Sequence, residues 1–176
     1  MTDWLLALVP VYGLWLLAAT TFFSCLALPF PASILMLTAG GFVAAGDLAL
    51  VPTVAAAAAG GIAGDQLGFW AGRRFGAPLL ARMRRDPARD KLLSKAMTML
   101  NKSGDMAVFF SRWLFSPLGP WMNLVTGSSG YGWHRFTVAG VAGELVWATL
   151  YVGMGYAFAG NIVAASEMLG SGLGLM

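Results

Sequence analysis

The sequence predicts an all-α membrane protein: an inverted repeat of two re-entrant helical hairpins, about three spanning helices and a cytoplasmic amphipathic segment. Three observations carry that prediction. Hydrophobic residues make up 58% of the 176-residue chain and charged residues only 11%, and the mean hydropathy is +0.71. A soluble domain carries about 25% charged residues because its surface faces water, so much of this surface must face lipid. Second, nine of the eleven basic residues lie between Arg73 and Lys102, opposed only by Asp86 and Asp90. That stretch has a net charge of +7, which leaves −4 for the remainder of a chain of net charge +3. Third, prolines and glycines interrupt two apolar runs, where a continuous helix is disfavoured.

Residues 1–28 read as a membrane helix, because about 20 apolar residues cross the hydrocarbon. No basic residue precedes the run and no Ala-x-Ala site ends it, so it is expected to be retained rather than cleaved. The segment 29–48 follows, opened by Pro29 and Pro31 and closed by Gly46-Asp47. Its apolar run is short for a span and suits a re-entrant hairpin. Residues 51–72 are read as a spanning helix that delivers the chain to the basic segment 73–104. A short basic stretch between apolar regions belongs in the cytoplasm. Leu79, Leu80, Met83, Leu92, Leu93, Met97 and Leu100 fall there at roughly helical spacing. Pro87 divides the segment into two amphipathic pieces, expected along the inner membrane surface. The segment can be a solvated topology determinant alone, or it can also attract anionic headgroups.

Residues 105–127 repeat the pattern. Pro117, Gly119 and Pro120 interrupt an apolar run that a Gly/Ser cluster then closes. Residues 134–160 form a further span and 161–176 a mildly apolar tail. A cytoplasmic basic loop makes the two broken segments open to opposite faces. Inverted repeats of this kind place a substrate site near the midplane, where broken backbone is tolerated only in contact with protein or water.

Gly60, Gly64, Gly68, Gly72 and Gly76 recur every four residues and so share one helix face. Small residues at this spacing let another backbone approach closely in lipid. The stripe is read as a packing groove, with a groove that admits a lipid chain as the alternative. Asp65 lies among these glycines, far from either helix end. A carboxylate at that depth usually faces the protein interior or a wet cavity. It is either a structural partner of Arg112 or a protonatable, substrate-coordinating group. Arg112 precedes the Ser116-Pro117 break by four residues, and its fork of donors suits phosphate. Glu144 lies mid-span with Trp147 and Tyr151 at helical spacing, a face expected to look inward. It reads equally as a hydrogen-bonded core residue or as a functional acid. Trp121, Asn123, Tyr131, Trp133 and His134 are read as interface or packing residues. Cys25 is the only cysteine and His134 the only histidine. That excludes an internal disulfide and Cys-based zinc clusters, and it argues against sites needing several imidazoles.

These motifs resemble those of a known family. GGIAGDQLGFWAGRRFG (60–76), FFSRWLFSPLGP (109–120) and GVAGELVWATLYVGMGYAFAG (140–160) are similar to the signatures of the DedA family, also called SNARE-associated or VTT-domain proteins. The first resembles G-x-x-x-G-D-x-x-G-Y-x-x-G-R-x-x-G and the second F-x-x-R-F-x-P. The likeness covers roughly residues 29–160. It implies two re-entrant hairpins meeting inside the membrane, with Asp65 as the essential acid and Arg112 as the first essential arginine. Two departures stand out. Many members carry a carboxylate just after the first prolines, where this chain has Ala32-Ser33, and a second arginine where it has Leu118-Gly119. Glu144 is the replacement acid that the sequence offers.

The resemblance implies a lipid translocase, flippase- or scramblase-like, moving undecaprenyl phosphate or a phospholipid between leaflets, with proton coupling as a further attribute. The alternative is a proton- or ion-coupled small-solute transporter supporting envelope homeostasis. An enzyme is not expected: a lipid phosphatase needs a nucleophile with a base, or a metal, and His134 has no acidic neighbour in sequence. No cofactor is expected either. The implied partners are lipids with an anionic or phosphate-bearing headgroup, protons and a second copy of the chain, but not nucleic acid. The expected location is a bacterial-type inner membrane, crossed several times.

Overall fold

The computed structural model describes residues 2–173 apart from 27 and 29, and its regular structure is all helical. The chain runs through α1 (Thr2–Ser24), α2 (Ala32–Ala45), α3 (Leu50–Met83) and α4 (Pro87–Ser103). It continues through α5 (Asp105–Trp113), a 3₁₀ turn at Ser116–Leu118, α6 (Gly119–Ser128) and α7 (Trp133–Leu173).

Polarity is distributed in the reverse of a soluble domain. Asp65, Arg112, Asn123, Thr126 and Glu144 are buried, whereas Trp15 (76% exposed), Val51 (77%), Ile34, Trp70, Val138 and Phe158 lie on the outside. An exterior this apolar is stable only against lipid. Trp133–Ala159 is long and apolar enough to cross a bilayer, the one such helix among the described residues. Tyr12–Ser24 and Ala32–Ala45 are shorter apolar helices. The expected span at 51–72 lies within α3, but its Ala/Gly-rich composition and Asp65 keep its hydropathy low.

The glycine stripe explains how α3 sits between two partners. A Cβ at Gly60 or Gly64 would strike the Ala18 and Phe22 carbonyls of α1, and one at Gly72 would strike Leu124 of α6. A Cβ at Gly68 would come within 2.9 Å of the Asn123 side chain. One helix face therefore serves α1 along its first half and α6 along its second. Gly127 reciprocates, lying against the Phe69 carbonyl and the Arg73 amide. Gly76 does not belong to this face. Its φ of 30° and ψ of −122° break the helix, and no atom lies within 4 Å of where its Cβ would be. The five-glycine register ends at the fourth because the backbone kinks there, at a conformation that L side chains rarely adopt.

The first proline-flanked segment also differs in detail from its reading. Residues 32–45 form one uninterrupted helix with Pro31 at its N-cap, so no break falls inside this apolar run. Pro29 lies outside the described residues. Helix α2 crosses α7 where glycines allow it: a Cβ at Gly40 would come within 2.9 Å of the Gly155 Cα, and one at Gly155 would meet the Leu37 backbone. The second interruption falls at 114–118. Pro117 lies in the 3₁₀ turn, Gly119 starts α6 and Pro120 occupies its first turn, where a missing N–H costs nothing. Each broken segment thus packs on the long helix of the other half, α2 on α7 and α6 on α3.

The basic segment is a helical end of α3 followed by α4. The Asp86 carboxylate caps α4, accepting from the Ala88 amide at 2.9 Å, with Pro87 as the first helical residue. The apolar face of α4 does not lie free for the membrane surface. Leu93, Ala96 and Leu100 are buried in a core with Val108, Met122 and Val125, while all nine basic residues between Arg73 and Lys102 remain exposed.

Candidate functional site

Four helices contribute one polar side chain each to a single buried point. Asp65 comes from α3, Arg112 from the last turn of α5, Asn123 from α6 and Glu144 from α7; none is more than 3% exposed. The second break makes this meeting possible. It folds α6 back beside α5, so that Arg112 and Asn123, separated by ten residues of sequence, address the same carboxylate.

Asp65 Oδ1 accepts from Arg112 Nη1 at 2.9 Å and from Asn123 Nδ2 at 2.8 Å. Arg112 Nη1 also reaches the Gly119 carbonyl at 3.4 Å, which ties the arginine to the start of the helix after its own break. Asn123 Nδ2 donates further to the Cys25 carbonyl at 3.2 Å, joining the second break to the first. The Arg112 guanidinium lies 5.4 Å from the centre of the Phe136 ring, a cation–π arrangement that favours its charge in a low-dielectric setting.

Glycines on α7 and α3 make the room. A Cβ at Gly143 would approach Arg112 Cγ to 2.6 Å, one at Gly140 would lie 3.6 Å from Arg112 Nη2, and one at Gly61 would strike the Glu144 carboxylate. The network is nonetheless incomplete. Asp65 Oδ2, Arg112 Nε and Nη2, Asn123 Oδ1, Glu144 Oε2 and Trp147 Nε1 are buried without a hydrogen-bond partner. A cavity of about 30 Å³ lies among Ser24, Cys25, Arg112, Gly119, Glu144 and Trp147. Buried polar groups without partners usually mark water or a ligand. One donor atom each from Cys25, Asp65 and Glu144 lies within 4.8 Å of the others, the only such group among the described residues. Asp65 already spends one oxygen on Arg112 and Asn123.

The structure thus brings together Asp65, Arg112 and Glu144, the three residues singled out from sequence. Trp147 is buried beside Glu144, with its ring 6.2 Å from that of Tyr151. Asn123 is a correction. Sequence places it among the interface or packing residues, yet it bridges Asp65 and the Cys25 backbone. An amide inside the apolar run 121–125 is the available signal, since a polar side chain there must find a partner. His134 stays apart. It is exposed beside a groove of about 460 Å³ between α5 and α7 that also includes Asp105, Phe109, Arg135 and Val138. At its mouth Arg135 Nη2 pairs with Asp105 Oδ2 at 3.0 Å, and the Tyr131 hydroxyl donates to Asp105. Trp133 Nε1 donates to Gln66 Oε1 at 2.8 Å, fastening α7 to α3.

Comparison with known proteins places this architecture. The model of the VTT domain matches residues 30–157. The chain belongs to the VTT-domain (DedA) family. An uncharacterized membrane protein of Synechocystis is 31% identical over 149 residues, covering 81% of this chain and 65% of the relative. One from Buchnera aphidicola is 26% identical over 157 residues, 86% of this chain and 60% of the relative. One from Mycobacterium tuberculosis is 31% identical over 128 residues, 70% of this chain and 58% of the relative. The chain therefore spans about three-fifths of the length of these curated relatives. No solved structure matches it. Family membership and the inverted polarity agree that this is a membrane protein.

Proposed function

We propose that this VTT-domain protein is a multi-pass inner-membrane lipid translocase that passes a phosphate-bearing headgroup between leaflets. The observation that carries the reading is the Arg112 fork. One nitrogen holds Asp65, while Nε and Nη2 are buried without partners beside a small cavity. A guanidinium with two free donors at a helix break is chemically suited to a phosphate. In this arrangement the proline-flanked α2 and the broken pair α5–α6 are the two re-entrant elements of an inverted repeat. At 1.5 Å per residue, α5 and α6 are about 14 and 15 Å long, roughly half of the ~30 Å hydrocarbon. The break between them therefore falls near the midplane, where repeat-built transporters bind their cargo.

A headgroup is far larger than the cavity, so the closed arrangement is a resting state. Opening must part α6 from α3 or α5 from α7, exposing Arg112 to the cargo. The Asp65–Arg112 pair then acts as the latch, and phosphate competes with Asp65 for the same fork. No step in this cycle makes or breaks a covalent bond, so the protein is a transporter rather than an enzyme.

Reconstituted liposomes test it directly. Wild-type protein should transfer a fluorescent phosphate-bearing lipid between leaflets. Arg112→Lys, which keeps the charge but loses the fork, should be at least tenfold slower. Equal rates for the two would refute the role given to Arg112, and solute flux without lipid transfer would favour the small-solute transporter.

A further inference from the structure

Between the buried centre and the basic end of α3 lies a layer that the function above does not use. Asp65, Phe69 and Arg73 follow one another at four-residue intervals, so they lie along one side of α3. Each step moves about 6 Å along the helix. Asp65 and Phe69 are buried, whereas Arg73 is exposed. One ring therefore stands between the buried acid and the first exposed cation. Helix α7 supplies a matching ring. Gly61 of α3 faces Glu144 of α7, Asp65 faces Gly140, and Phe69 faces Phe136. The two helices thus run antiparallel along this seam.

The contacts form a continuous column of four side chains. The Arg112 guanidinium lies 5.4 Å from the centre of the Phe136 ring. The Phe136 and Phe69 rings are stacked at 4.5 Å, with 26° between their planes. The Arg73 guanidinium lies 5.3 Å from the centre of the Phe69 ring. Both rings are fully buried, and Val108, Met122 and Val125 pack into the same core. An ordinary core stack needs no cation at either end, since aliphatic side chains would fill the same space. Here each ring has one ring and one guanidinium as neighbours. An aromatic face attracts a guanidinium, while two rings in contact exclude water and make the passage of a polar or charged group costly.

We propose that Phe69 and Phe136 are the gate on the basic side of the buried site, the side that the positive-inside rule puts in the cytoplasm. Closed, the stacked rings separate Arg112 from Arg73. Parted, they join the two guanidiniums into one electropositive route for an anionic group. Parting α5 from α7 also draws Phe136 off the Arg112 guanidinium, so the fork loses its cover in the same motion. The use of the gate in moving a headgroup rests on the translocation reading. The barrier itself does not.

Cys25, the only cysteine, lines the cavity beside Arg112 and reports access without any transport. In proteoliposomes of defined orientation, wild-type Cys25 should react slowly with membrane-impermeant methanethiosulfonates from either side. Phe69→Ala and Phe136→Ala should each raise the rate about tenfold, from the basic side alone. The anionic sulfonatoethyl reagent should gain more than the cationic trimethylammonium reagent, because a route with an arginine at each end concentrates anions. Phe136→Leu keeps apolar bulk and should stay near the wild-type rate. The two alanine variants are checked for monodispersity, and either one that folds is decisive. No acceleration, equal acceleration from both sides, equal gains for the two reagents, or a Phe136→Leu rate matching Phe136→Ala would overturn the gate and leave an ordinary core stack. One-sided access in a protein that transfers no lipid would instead refute the translocase reading and leave the gate standing.

Discussion

The two chain breaks differ in chemistry. The second, at 114–118, is framed by Arg112 and Asn123, which both bond the buried Asp65. The first, at 25–31, contributes the Cys25 carbonyl to that network, and Cys25 also lines the cavity. No charged side chain lies within it, and the residues after it, Ala32 and Ser33, are uncharged. The two breaks thus differ in the charge they carry. One half supplies the guanidinium, the other supplies a carbonyl, and the acids come from the long helices α3 and α7 onto which the broken segments pack. In the opening that we propose, the acids on the long helices keep their positions while a broken segment moves. That is a sound arrangement for a latch.

Removing charge from the second break should have the largest effect. Arg112→Ala leaves Asp65 ionised and unpaired in the interior, and losing one partner of a buried ion pair costs about 3–5 kcal/mol. Detergent-solubilised protein should show this as a large fall in resistance to SDS unfolding, partly recovered when Asp65→Asn is added. The first break should respond instead to shape. Gly64→Ala drives a methyl group into the Phe22 carbonyl and the Cys25 side chain, and overpacking of this kind costs about 1–3 kcal/mol. A Gly76→Ala control separates crowding from backbone strain, because Gly76 has no neighbour to strike.

The link between the breaks comes next. Asn123→Leu removes the bonds to Asp65 and to the Cys25 carbonyl while keeping the volume. At about 1 kcal/mol net per hydrogen bond, a loss of about 1–2 kcal/mol is expected, with faster amide exchange around residues 25–31. The smallest effect belongs to the pair at the other end of α5. Arg135 and Asp105 are 65% and 46% exposed, and exposed pairs are worth under about 1 kcal/mol. Arg135→Ala should be nearly neutral in SDS unfolding and should lose even that in high salt. If it matched Arg112→Ala, burial would not be what separates the two pairs.

Much of this molecule is legible in the residue order. Composition alone requires a lipid-facing exterior, because 11% charged residues cannot cover a globule. The spacing of Gly60, Gly64, Gly68 and Gly72 foretells a close-packed helix face, since a four-residue period maps onto one side of any α-helix. Asp65, Arg112 and Glu144 stand out because ionisable groups in apolar runs must be compensated. Prolines mark where helices begin, as Pro31, Pro87 and Pro120 do.

Tertiary structure decided the rest. Periodicity gives a helix face but not its partner, so the division of one glycine stripe between α1 and α6 was invisible, as was the kink that removes Gly76 from it. The apolar face of α4 fits a membrane surface or a protein core equally well by pattern, and the packing of Leu93, Ala96 and Leu100 chose the core. Asn123 is one amide among apolar neighbours until the chain reversal at 114–118 sets it against Asp65. Above all, that Asp65, Arg112, Asn123 and Glu144 meet at one buried point is a fact about distances between four helices. Charge balance at a buried point depends on which residues meet there, and sequence order does not encode that meeting.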